Sequence, residues 1–82
     1  MKNKKNLSKI ITNKIEQIRR EKGETHADLA AGIGVSRSFV SSVANYRNFY
    51  NLERLNKIAI HFDCNLHDII PQKPVTTNEE KE

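Results

Sequence analysis

The sequence predicts an all-α fold, a compact domain of five helices, and three observations lead there. Apolar residues recur at helical spacing, and no run alternates apolar and polar residues as a half-buried strand would. Helix-capping residues, Thr25, Ser36, Asn51 and Asn65, stand at the head of successive segments. Two short segments between Thr25 and Val43 meet at Gly34–Val35, and the second carries Arg37, Ser38, Ser41 and Ser42.

The elements follow in order. Ile11, Ile15 and Ile18 share one helical stripe, giving a first helix from about Ser8 to Lys22 that Gly23 stops. Thr25 caps the second helix, with Asp28 three residues on in a capping-box position. That helix runs to about Ile33 and buries Leu29, Ala30 and Ile33. Gly34 supplies the positive φ of a tight turn, and Ser36 opens a third helix through Ala44. A loop from Asn45 to Asn51 precedes a fourth helix, whose expected buried face is Leu52, Leu55, Ile58, Ala59 and Phe62. Asn65 and Asp68 cap a short fifth helix that Pro71 ends. Residues 1–7 form a basic arm, 8–71 the domain, and 72–82 a polar tail expected to fray.

Charge points to a polyanion. The net charge is +4, but residues 1–22 alone hold eight Lys or Arg against two Glu. Basic residues that neutralise phosphates release counterions, so such an arm favours nucleic acid. No run of about 18 apolar residues offers a membrane span, and Ile10–Ile11 is too short for the apolar region of a signal peptide. The single Cys64 forms no internal disulfide, which fits a reducing cytoplasm.

The third helix carries the candidate site. With Arg37 at zero on a helical wheel, Ser41, Ser38 and Ser42 fall at about 40°, 100° and 140°, and Phe39, Val40 and Val43 on the opposite side. Small serines let a helix approach base edges closely. Arg37, one residue past the cap, has a planar fork suited to the O6 and N7 of guanine, a contact of roughly 1–3 kcal/mol in discrimination.

These residues resemble the helix-turn-helix domain of the lambda-type phage repressor and Cro family, also called the xenobiotic-response-element family. The matching pieces are I15-x-x-I18-R19-x-x-K22-G23, T25-x-x-D28-L29-A30-x-x-I33-G34-V35-S36-R37-S38-x-V40-S41-x-V43, N51-L52-E53-x-L55-x-x-I58-A59 and F62-x-C64-N65-L66-x-D68-I69-I70. The resemblance implies a repressor-like domain whose second and third helices read double-stranded DNA. By position, Arg37, Ser38 and Ser42 match base-facing sites, to which the wheel adds Ser41. Ser36 matches a residue at the groove edge, and His26 a family Gln that bonds the DNA backbone. Arg47 and Asn48 lie in the loop that normally meets phosphates, with Tyr46 or Tyr50 able to add a hydroxyl; Lys9 and Lys14 complete the expected phosphate contacts.

Two departures carry expectations of their own. Ala44 replaces a Glu that pairs in the family with the arginine matching Arg19, so Arg19 is expected to turn to another acid such as Glu53, or to water. Tyr46 replaces the family's loop glycine, which shifts the left-handed position to Asn45 or redirects the loop.

Other chemistries find little support. His61, Cys64 and His67 are spaced by three but straddle the Asn65 cap and lack a fourth ligand, so no metal or other cofactor is expected. No nucleophile elbow, phosphate loop or paired acid cluster suggests an enzyme. Ile60, with Phe49, Leu66 and Ile70, is the expected homodimer face, placing two recognition helices about 34 Å apart. The function expected is that of a repressor-like transcriptional regulator, with an antitoxin-like or protein-interaction module as the alternative and a regulatory protein as a further partner.

Overall fold

The computed structural model describes residues 6–71. The expected arm is represented there only by Asn6 and Leu7, and the 72–82 tail lies outside the described residues. Among the described residues the chain is all-helical: α1 (Leu7–Glu21), α2 (His26–Ile33), α3 (Arg37–Ala44), α4 (Leu52–His61) and a single 3-10 turn, Leu66–Asp68. Helix α1 starts at Leu7 because the Asn6 side chain accepts from the Lys9 N–H at 2.9 Å and caps it. Thr25 and Asp28 form the expected capping box of α2, and Ser36 and Asn51 cap α3 and α4.

Four α-helices stand where five were expected. At the fifth, the Asp68 carboxylate accepts from the Asn65 N–H at 2.9 Å and closes one turn. Ile69 then donates to Leu66, an i to i−3 bond of 3.0 Å that tightens the turn. Pro71, without an N–H, cannot carry it further.

Helix α2 packs chiefly on α3 and α4, while α1 lies against α3. Leu29, Val40, Val43, Ile58, Phe62 and Ile69 are sealed between them, joined by Ile15 from α1. Burying each such apolar side chain contributes about 1.5–3 kcal/mol. Leu52 departs from the sequence expectation: it is 68% exposed. Helical side chains tilt toward the N-terminus, and Leu52, as the first residue of α4, has no preceding turn beneath it.

Three helices end alike. After α1, α3 and α4 the chain turns through a left-handed residue, Gly23 (φ 71°), Tyr46 (φ 63°) and Asp63 (φ 56°). Each time that residue and its successor donate back to the last turn: Gly23 to Arg20 and Glu24 to Arg19, Tyr46 to Val43 and Arg47 to Ser42, Asp63 to Ile60 and Cys64 to Ala59. This register puts the left-handed residue two places after Ala44. Tyr46 therefore adopts it, and Asn45, expected to do so, keeps a negative φ of −94°.

Candidate nucleic-acid interface

Helix α3 presents its N-terminal end outward. The Ser36 hydroxyl accepts from the Phe39 N–H at 3.0 Å, fixing the helix start and leaving its own proton to donate. Val40 and Val43 anchor the inner face. Phe39 packs edge-on to Tyr50, 5.8 Å between centroids, beneath the Arg54 guanidinium. Arg37 and Ser38 are exposed, whereas Ser41 and Ser42 are half-buried. Ser42 donates to the Phe39 carbonyl at 2.7 Å and accepts from the Asn48 amide at 2.9 Å.

Ser41 belongs to a network linking three helices. Its Oγ lies 3.3 Å from Nδ1 of His26, whose Nε2 lies 3.0 Å from Oε1 of Glu16 on α1. The same carboxylate accepts from Arg19 at 2.9 Å, with Arg20 at 3.8 Å. Burial pushes the Glu16 carboxyl up, but hydrogen bonds and charge from Arg19 and His26 outweigh it and hold the group below its ordinary value. Arg19 thus needs neither Glu53 nor water: Glu16 is one turn back on the same helix face, and the Glu24 carbonyl takes a second guanidinium N–H. The sequence offered nothing that places a serine, a histidine and an acid together. The fold does so with Ser41, His26 and Glu16.

The α3–α4 loop also differs from expectation. Tyr46 donates its hydroxyl to Asn13 on α1, and Lys9 lies over its ring, Nζ 5.0 Å from the centroid. These contacts offset a left-handed tyrosine that costs about 1–2 kcal/mol. Tyr50, expected as a phosphate donor, is buried, and that burial pushes its phenol well above the ordinary range. Arg47 and Asn48 remain exposed.

The other expected residues divide between faces. Lys9 sits beside the loop, whereas Lys14 lines a depression with Ile10 and residues 67–71, on another side of α1. Ile60 is 70% exposed and follows the outer edge of α4; Leu66 and Ile70 lie half-buried just beyond that helix. Phe49, also 70% exposed, precedes α4, beyond the end of the helix opposite Ile60. There it lines a groove of about 280 Å³ with Leu7, Ile11 and Leu55. His61 turns to Glu24, Nε2 to Oε1 2.7 Å, and not toward Cys64 and His67.

Two residues on α1 escape a reading centred on α2 and α3: Glu16 and Asn13. Glu16 had a visible signal, lying three residues before Arg19 and four before Arg20. Asn13 had none, because its partner is 33 residues away.

Comparison with known proteins places this geometry. A model of the Cro/C1-type HTH DNA-binding domain matches residues 14–74. The HTH-type transcriptional regulator SinR of Bacillus subtilis is 31% identical over 68 residues, 82% of this chain and 61% of the relative. The chain therefore spans under two thirds of that curated relative. Among solved structures, the master regulator for biofilm formation SinR in complex with DNA is 33% identical with a TM-score of 0.62, covering 70% of this chain and 92% of that one. The restriction-modification controller protein C.AhdI from Aeromonas hydrophila is 25% identical with a TM-score of 0.70, covering 78% and 96%. An all-helical domain with α2 and α3 paired around the Gly34 turn, matched over residues 14–74, belongs to the Cro/C1-type helix-turn-helix DNA-binding family.

Proposed function

We propose that this chain is a transcriptional regulator that binds a specific double-stranded DNA site as a cytoplasmic homodimer and acts by occupying it. The observation that carries the reading is the outward N-terminal end of α3. Arg37 and Ser38 are exposed there, Ser41 and Ser42 continue the same arc, and α2 supports it from behind. Arg37 reads guanine, and the serines read neighbouring base edges.

Ser36, Arg47, Asn48 and Lys9 border that arc and position it through phosphates. His26 contributes through the backbone N–H groups at the start of α2, since its ring faces Glu16 and Ser41. Lys14 serves only DNA that wraps past α1. Residues 1–7 add a sequence-independent attraction, and 72–82 none. Ile60 with Leu66 and Ile70 forms the two-fold contact, with Phe49 outside it. No described helix is long and apolar enough to cross a membrane. Catalysis is no part of this reading.

Titration against duplex DNA at several salt concentrations tests it. Site-specific binding that weakens steeply with salt is expected. Arg37→Ala should lower preference for the selected site by about tenfold or more while sparing non-specific affinity. No duplex binding at low salt would leave the protein-interaction alternative. Sedimentation of Ile60→Asp as a monomer beside a dimeric parent would support the two-fold face.

A further inference from the structure

On the reading that α3 faces the major groove, on which this inference rests, its serine hydroxyls are not equivalent. Ser38 is exposed and free to turn either its proton or a lone pair outward. Ser42 gives its proton to its own helix and is covered by Asn48. Ser41 lies between Arg37 and Ser38 around the helix, about 40° from Arg37, and its orientation is governed from outside α3.

That control starts at Glu16. Its carboxylate accepts from Arg19 at 2.9 Å and faces His26 Nε2 at 3.0 Å. An ionised carboxylate only accepts, so in a neutral imidazole Nε2 carries the ring proton and Nδ1 is left as an acceptor. The hydroxyl 3.3 Å from Nδ1 has one proton, and it points there.

We propose that Glu16 and His26 fix Ser41 as a hydrogen-bond acceptor toward the groove, making it select a base with an exocyclic amino group, adenine N6 or cytosine N4. A keto oxygen, guanine O6 or thymine O4, finds no proton to accept. His26 is then a positioning residue and Ser41 a specificity-determining one.

Two measurements test this on the full chain. Nitrogen-15 spectra of the histidine rings should show His26 protonated at Nε2. Oε1 of Glu16 serves both Arg19 and His26, so in Glu16→Gln the amide oxygen takes its place and the ring should keep its proton at Nε2. A parent ring protonated at Nδ1, alone or together with Nε2, overturns the proposal.

Selection of duplexes from a random pool gives the second measurement, with Ser41→Ala identifying the base position concerned. The parent should prefer an amino-bearing base there by about five- to tenfold. Glu16→Gln, which keeps an acceptor facing Nε2, should retain that preference. His26→Leu, which keeps bulk without an acceptor, should level it. An unchanged preference in His26→Leu, or no position altered by Ser41→Ala in a parent that selects a site, overturns this inference alone. A parent that selects no sequence overturns it together with the base-reading function.

Discussion

Among the described residues stand two histidine–glutamate pairs, and their chemistry is almost the same. His26 meets Glu16 at 3.0 Å and His61 meets Glu24 at 2.7 Å, each through Nε2, each half-buried, each joining α1 or its outgoing turn to another helix. They differ at the second ring nitrogen. Nδ1 of His26 faces the Ser41 hydroxyl on α3. Nδ1 of His61 faces the bare Cα of Gly32, where an added Cβ would lie 2.2 Å from it. One ring passes a hydrogen bond onward, and the other ends against backbone as a clamp. The pair alone does not define a role; what stands behind the ring does.

Breaking the clamp should give the largest effect. Gly32 sits inside α2, where alanine is normally the better helix former by about 1 kcal/mol. With His61 in place, Gly32→Ala must push the imidazole off α2 and away from Glu24. A net loss of about 1–3 kcal/mol in denaturant unfolding is expected. In a His61→Ala background the same substitution should stabilise, by up to about 1 kcal/mol. A loss in both backgrounds would mean that α2 excludes a methyl there for some reason other than His61.

The next contrast separates stability from reading. His61→Ala should cost about 1–2 kcal/mol, from a half-buried bond to a carboxylate, and leave base preference unchanged. His26→Ala should cost a similar or smaller amount yet alter sequence preference at one base position. Equal changes in preference from both variants would erase the distinction between clamp and relay.

The sequence made most of the fold legible and only part of the site. Cap residues and apolar spacing are local signals, so α2, α3 and α4 begin where Thr25, Ser36 and Asn51 indicated. The exposed end of α3 was legible for the same reason, because a wheel needs only the helix itself. What escaped depends on contacts between helices. His26 was matched to a phosphate contact by position, but its ring is claimed by Glu16, ten residues earlier, and Ser41, fifteen later. Tyr46 failed the residue-type rule for left-handed backbone because the register of the α3 terminus fixes the site, and Asn13 and Lys9 then hold the side chain. Gly32 carried no turn signal at all. Its reason is a ring arriving from α4.

Acid tests the first pair more gently. Glu16 is held below its ordinary value of 4.5 by Arg19 and His26 against the opposing pull of burial. A carboxyl depressed in the folded chain stabilises it fully above that ordinary value, and the contribution disappears as pH falls through the folded value. Glu16 is half-buried, so about 1 kcal/mol or less is expected, read as a stability loss below pH 4.5 that flattens in Glu16→Gln. Asp28, lowered by its capping hydrogen bonds from Thr25, contributes in the same direction and should persist in that variant. Arg20, exposed and 3.8 Å from the carboxylate, should matter least: Arg20→Ala is expected to change stability by less than about 0.5 kcal/mol and base preference not at all. If Arg20→Ala instead reproduced the acid response of Glu16→Gln, the carboxylate would be governed by surface charge. The ordered line from Arg19 through Glu16 and His26 to Ser41 would then lose its anchor.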